Sequence, residues 1–185
     1  MSTAVLMPVK AFAESKARLA PALDPLRRAR LARWMAARVM EAAAPLPVFV
    51  VCDDQSVAQW AEEAGAGVVW EPGRGLNAAV SEGVRHLERS GFTRAIVAHA
   101  DLPWAAHLHE LDRFPGLTIA PDQRDDGSNV ICIPTESRFV FAYGPGSFSR
   151  HITEARRLGL AVRIARRTHL AADIDLPSDL GLVST

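Results

Sequence analysis

Short apolar runs alternate with helical periodicity through the first half of the chain, and that alternation limits the possible folds more than any other feature. Residues 4–9, 47–52, 68–70 and 95–98 are brief, apolar and bounded by turn formers, as buried strands are. Between them lie amphipathic stretches. Asp24-Pro25 carries the N-cap and first-turn chemistry that opens a helix. Leu31, Trp34, Met35, Val39 and Ala42 then mark an apolar stripe opposite Arg27, Arg30 and Arg33. Asp54 is placed to cap a second helix ending at Gly65, and Leu76, Val80, Val84 and Leu87 recur at helical spacing in a third that Gly91 stops. Three strand–helix alternations followed by another strand predict an α/β fold with a mostly parallel, helix-flanked sheet.

The second half is looser. Residues 104–112 are expected to form a short helix, 117–120 a strand and 122–129 a polar loop. Strands are expected over 130–133 and 139–142, close enough together to add a locally antiparallel element to the sheet. Ser147 is expected to cap a helix that reaches Leu158 and stops at Gly159, and a late strand is expected over 161–165. With 185 residues, 49% of them hydrophobic, the chain can bury one sizeable core but not comfortably two, so residues 1–185 read as a single domain.

Formal charge is zero with 23% charged residues, so no global field favours nucleic acid or an anionic membrane, and any anion site is local. Cys52 and Cys132 sit in apolar runs and read as free buried thiols of a reducing cytoplasm. The N-terminus lacks a secretory pattern and no apolar run is long enough to span a bilayer, so the expected location is cytoplasmic.

One local charge pattern stands out. Of 21 basic residues nineteen are arginines, and the two lysines, Lys10 and Lys16, both fall between the first strand and the first helix. An ammonium is a compact point charge, whereas guanidinium is a planar fork, so the choice matters where a close grip on an oxyanion is wanted. In open α/β sheets ligands gather outside the carboxyl ends of the strands, where this loop emerges. Neither G-x-x-x-x-G-K-[ST] nor G-x-G-x-x-G occurs, which excludes a P-loop and a dinucleotide fingerprint.

Asp101 follows the fourth strand in His99-Ala-Asp-Leu-Pro103 and reaches the same rim. Asp173 and Asp175 flank Ile174, and an extended backbone there puts both carboxylates on one side. Oxygen ligands from two segments, completed by phosphates and water, suit Mg²⁺. Lysines facing carboxylates across one sheet edge imply a polyphosphate neutralised by metal and protein together, and hence nucleotidyl transfer. No Ser-His-Asp or Cys-His arrangement stands out, and none is required if the attacking group is an ionised phosphate. His107 and His109, two apart, cannot share a ligand on a helix and are expected at the surface.

Six segments together carry a resemblance: Pro8-Val-Lys-x5-Lys-Ala-Arg-Leu-Ala-Pro21, Gly75-Leu-Asn-Ala-Ala79, Ala100-Asp-Leu-Pro103, Asp126-Gly-Ser-Asn129, Gly144-Pro-Gly-Ser-Phe-Ser-Arg-His151 and Asp173-Ile-Asp-Leu-Pro177. In this order, over nearly the whole chain, they resemble the CofC/FbiD family, the guanylyltransferases of coenzyme F-420 biosynthesis. The resemblance implies a GT-A-like, Rossmann-like nucleotidyltransferase fold and GTP as donor. It implies as acceptor a small three-carbon phospho-acid (phosphoenolpyruvate, 2-phospho-L-lactate or 3-phosphoglycerate), with composition leaning toward the first, and a downstream transferase to take the product. Carried over position by position, Lys10, Lys16 and Arg18 would hold the triphosphate. Pro8, Val9, Gly75, Leu76, Asn77 and Asp53 would line the guanine and ribose pocket. Asp101 with Asp173, Asp175 or both would bind Mg²⁺. Ser128, Gly144 and Ser147 would receive the acceptor's carboxylate, partly through backbone N–H groups at a helix start, with Arg150 and His151 as possible assistants. The chain departs from the family pattern at Ala17, where serine is common, and at His99-Ala100, where a more glycine-rich approach to the aspartate is usual and crowding of the metal site is therefore expected. The competing readings are another GT-A nucleotidyltransferase acting on molybdopterin or a sugar phosphate, which the absence of a G-x-G-T-R opening disfavours, and a non-catalytic nucleotide-binding protein.

Overall fold

The computed structural model describes residues 2–73 and 75–182, so position 74 of the 71–75 turn lies outside it. Seven strands form one sheet in the order β3-β2-β1-β4-β6-β5-β7. They are β1 Thr3–Pro8, β2 Val48–Cys52, β3 Gly67–Trp70, β4 Arg94–Ala98, β5 Leu117–Pro121, β6 Ser128–Pro134 and β7 Val162–Ile164. The first four run parallel, as the alternation predicts. β6 lies antiparallel between β4 and β5, and β7 pairs parallel to β5. The reversal of β6 brings its amino-terminal end, at Ser128, to the edge where β1 and β4 have their carboxyl ends, because Ala98 pairs with Val130.

Helices cover both faces. α1 Pro25–Ala42 and α2 Gln55–Glu63 lie on one side, α3 Gly75–Arg89 and α4 Ser147–Arg157 on the other, and α5 Thr168–Ala171 precedes the tail. The two-residue period of β1 is therefore apolar throughout: Val5 and Met7 enter the core beneath α1 and α2, while Ala4 and Leu6 enter the core beneath α3 and α4. Caps start the helices where expected. Asp24 Oδ1 accepts from Arg27 N–H at 2.8 Å and Asp54 Oδ1 from Val57 N–H at 3.0 Å. Cys52 and Cys132 are free and buried.

Four details differ from the sequence reading. The buried stripe of α1 is Ala32, Met35, Ala36 and Val39, while Trp34 stays 44% exposed, because alanines let the helix approach the sheet closely. Residues 104–112 give only a 3₁₀ segment, Leu108–Arg113, entered through His107 in the left-handed region at φ 53°. Phe139 to Ala142 alternate in and out, with Phe139 and Phe141 buried and Val140 59% exposed, yet they form no strand. Their backbone groups bond to side chains instead. Val140 N–H donates to Glu154 Oε1, Ala142 N–H to His151 Nε2, and Arg150 donates to Ala142 O. Last, α4 is capped by Gly146 at φ 72°, and Ser147 is its first helical residue.

A third, small apolar cluster positions the site. Leu19, Met35 and Ile174 are fully buried against one another, with Leu23, Leu31 and Leu180 around them. It pins the loop after β1, the Leu31 and Met35 flank of α1 and the tail to one place. Full burial of a side chain of this size stabilises by roughly 1.5–3 kcal/mol.

Candidate active site

The loop after β1 folds back through two short 3₁₀ turns, Phe12–Glu14 and Ala17–Leu19, with Lys16 between them in the left-handed region at φ 57°, ψ 40°. That conformation costs a non-glycine residue roughly 1–2 kcal/mol. It aims the side chain across the sheet edge, where Lys16 Nζ donates to Asp101 Oδ2 at 2.7 Å and to Asp175 Oδ1 at 2.9 Å. Arg18 stands outside, its Nη1 3.6 Å from Asp175 Oδ2. Ile174 points into the small cluster, so Asp173 and Asp175 turn together toward Asp101. Oxygen atoms of Asp101, Asp173 and Asp175 all lie within 4.8 Å of one another. Asp179 Oδ2 accepts from the Asp175 and Leu176 N–H groups and orients this tail. Asn129 holds the segment before it, donating to the carbonyls of Leu170 and Ala171.

Three carboxylates with one close ammonium leave an excess of negative charge. Burial pulls the Lys16 pKa down, but Asp101 and then Asp175 more than offset this, and the ammonium is held above its ordinary range. Burial alone would raise Asp101, and the adjacent Lys16 charge turns the net shift downward. Asp173 has no such partner, and burial, reinforced by the charge of Asp101, pushes it up to about 6. Asp101 Oδ1 is buried without a hydrogen-bond partner among the described residues. The donor set is oxygen only, incompletely neutralised and drawn from two segments, which fits a hard divalent cation.

Two cavities adjoin here and share Arg18, Leu76, His99, Asp101 and Asp175. One, of about 590 Å³, includes Pro8, Val9, Lys10 and Lys16. Lys10 is exposed and makes no ion pair among the described residues. The other, of about 700 Å³, reaches Ser128, Gly144, Ser147 and Asp173. Gly75 and Asn77 flank Leu76 but line neither cavity, and Asn77 Oδ1 instead accepts from Tyr143 N–H at 2.7 Å. Asp53 is exposed at the end of β2 and also lines neither. His99 packs its ring against Tyr143 at 4.9 Å between centroids, and burial keeps its pKa low despite the nearby Asp101.

The start of α4 differs from the anion cradle that the sequence suggests. Its first amides are already used: Gly146 N–H donates to Asp126 Oδ1, Ser147 N–H to Gly144 O and Phe148 N–H to Asp126 O. Gly144 N–H makes no hydrogen bond among the described residues, and the buried hydroxyls of Ser128 and Ser147 face each other at 3.5 Å. Arg150 spends its guanidinium on the carbonyls of Ala142 and Pro145 and braces the loop. Tyr143, the chain's one tyrosine, lines the larger cavity with a buried hydroxyl that has no hydrogen-bond partner among the described residues, and only that singularity marked it in the sequence.

The architecture is that of nucleotidyltransferases. It is similar to a crystal structure of a putative nucleotide-diphospho-sugar transferase from Desulfovibrio desulfuricans, with a TM-score of 0.81 at 17% identity over 99% of this chain and 87% of that one. It is also similar to 4-diphosphocytidyl-2C-methyl-D-erythritol synthase, with a TM-score of 0.68 at 11% identity over 98% and 96%. The family described as "Guanylyl transferase CofC like" matches residues 3–184, and the chain belongs to it. Phosphoenolpyruvate guanylyltransferase of Rubrobacter xylanophilus is 36% identical over 97% of this chain and 92% of that relative. 2-phospho-L-lactate guanylyltransferase of Methanothermobacter thermautotrophicus is 30% identical over 98% and 83%. No helix among the described residues is long and apolar enough to cross a membrane.

Proposed function

We propose that the chain is a single-domain, cytoplasmic guanylyltransferase that moves GMP from GTP to the phosphate of a three-carbon phospho-acid in coenzyme F-420 biosynthesis. Phosphoenolpyruvate is the first-choice acceptor, because relatives bearing that name match at 36% and 34% identity, against 30% for the 2-phospho-L-lactate enzyme. The observation that carries the reading is Lys16 of the smaller cavity bonded to Asp101 and Asp175, the two carboxylates that both cavities share. On this reading each cavity takes one substrate.

In the reaction a phosphate oxygen of the acceptor attacks the α-phosphorus of GTP, the bond from that phosphorus to the β-bridging oxygen breaks, and pyrophosphate leaves. The attacking phosphate is already ionised, so no general base is needed, and positioning with charge neutralisation supplies the rate. Lys10, Lys16 and Arg18 bind the triphosphate and stabilise the departing pyrophosphate. Pro8, Val9 and Leu76 line the nucleoside side, with Gly75 and Asn77 shaping the turn and Asp53 at its margin. Ser128, Gly144 and Ser147 bind the acceptor's carboxylate. Asp101, Asp173 and Asp175 would hold Mg²⁺, whose contribution when bound is to neutralise phosphate charge. The product is a diphosphate diester, a phosphoanhydride joining GMP to the acid's phosphate, and a downstream transferase consumes it.

A pyrophosphate-release assay crossing four nucleoside triphosphates with the three acids, with and without Mg²⁺, tests the proposal. Release with GTP, Mg²⁺ and phosphoenolpyruvate is expected. GTP binding without release in any combination overturns it in favour of a non-catalytic nucleotide-binding protein.

A further inference from the structure

Ser128 and His151 form a hydrogen-bonded pair whose direction can be worked out. Ala142 N–H donates to His151 Nε2 at 2.9 Å, so that nitrogen presents its lone pair. The ring proton then sits on Nδ1, 2.9 Å from Ser128 Oγ, and histidine donates to serine. His151 is fully buried, and burial, helped by the neighbouring Arg150 charge, lowers its pKa to about 4, so the ring is neutral in ordinary buffers. The direction excludes one chemistry. A serine activated as a nucleophile donates its proton to the histidine, whereas here the histidine proton already fills a serine lone pair.

With that lone pair occupied, the Ser128 hydroxyl proton is left to find an acceptor. Its remaining neighbour, Ser147 Oγ, is 3.5 Å away, too far for a strong hydrogen bond. Ser128 lines the larger cavity together with Ser147, Gly144 and Asp173. We infer that His151 is a positioning residue: through its fixed tautomer it turns the Ser128 hydroxyl into a one-way donor aimed at an anionic oxygen of the acceptor. The inference rests on the reading of this cavity as the acceptor site.

Four variants and one spectrum test it. His151→Phe removes both ring partners, while His151→Gln offers one amide donor and one carbonyl acceptor in their place. Ser128→Ala and His151→Phe are each expected to raise the KM for phosphoenolpyruvate roughly 10- to 100-fold, the size of a hydrogen bond to a charged group. The KM for GTP should stay within about twofold. His151→Gln should recover most of the loss, and the Ser128→Ala/His151→Phe double variant should be no worse than Ser128→Ala alone. Losses that multiply in the double variant, or KM values for both substrates rising together, would overturn the inference. Long-range ¹H–¹⁵N correlation on the ligand-free protein reads the tautomer without any turnover. A protonated Nδ1 and a bare Nε2 are expected, and the opposite tautomer overturns the inference even if His151→Phe fails to fold. If wild-type protein shows the expected tautomer but releases no pyrophosphate with any acid, the functional reading of the cavity fails while the hydrogen-bond direction stands.

Discussion

The two ends of the larger cavity are built on opposite principles. At one end Asp101, Asp173 and Asp175 crowd together with a single close ammonium, an unpartnered carboxylate oxygen and a carboxyl held up near 6. At the other, Ser128 and Ser147 are uncharged and buried 3.5 Å apart, and His151 behind them bonds to Ser128, with one hydroxyl proton left over. The first end is short of positive charge and suits a polyphosphate that arrives with its own cation. The Ser128, Ser147 and His151 side chains add no charge of their own, although Asp122, Arg124 and Asp126 line the same cavity, so the contact these hydroxyls offer a small anion is a neutral one. Neutral dipoles next to a charged cluster give orientation with little long-range field.

Substitutions break this contrast in graded ways. Asp101→Asn removes one of the two carboxylates shared by both cavities and is expected to reduce turnover about 1,000-fold or more and to abolish its response to Mg²⁺. An unchanged Mg²⁺ titration would move the cation elsewhere. Lys16→Ala should cost about 100- to 1,000-fold in kcat with the fold retained, as judged by circular dichroism, and wild-type turnover would take the lysine out of the chemistry.

Acid titration separates the two ends by sign. Asp173 is raised from 3.8 to about 6 on folding, so its contribution to stability is present below pH 3.8 and lost as pH rises through 6. His151 is lowered from 6.5 to about 4, so it destabilises the fold as pH falls from 6.5 through 4. In metal-free protein the two slopes oppose each other between pH 4 and 6. Melting curves of Asp173→Asn should therefore lose stability with acid more steeply than wild type, and those of His151→Gln less steeply; parallel curves would show that neither shift exists. Asp24→Ala, remote from both ends, should cost about 1 kcal/mol of stability through the lost helix cap and leave both KM values unchanged.

How far the sequence carried the reading depended on what satisfies each backbone. β1 to β4 are short apolar runs bounded by turn formers, with β1 and β4 buried almost throughout, and local composition alone marks them. Phe139 to Ala142 have the right alternation, but their hydrogen bonds go to side chains of the following helix, Glu154, His151 and Arg150, and apolar alternation does not report that. Trp34 misled because close helix–sheet approach selects alanine over bulk. At the site, Lys16, Asp101 and Asp175 were legible as a group because each lies near the carboxyl edge of the sheet. Asp53, Gly75 and Asn77 were drawn from the resemblance and lie beside the cavities instead of lining them. His151 passed as a possible assistant, since its role depends on which nitrogen carries a proton, and that is set by the Ala142 amide.

The reversed strand β6 sets what variation the site can accept. Ser128 opens β6 next to β4, so the gap between the hydroxyl and the acidic residues is dictated by strand register, as rigid as the ladder itself. The turn ahead of it is tied as well, since Asp126 accepts from Gly146 N–H and Phe148 N–H and Asp122 from the Asp126 and Gly127 N–H groups, so insertion should be survivable only within 123–125. Slipping 128–134 by a single step would present Asn129 where Ser128 now stands and turn every neighbour to the opposite face. Descendants of this chain are therefore freer to drift at the 123–125 tip than at Asp122, at Asp126 or anywhere in the strand.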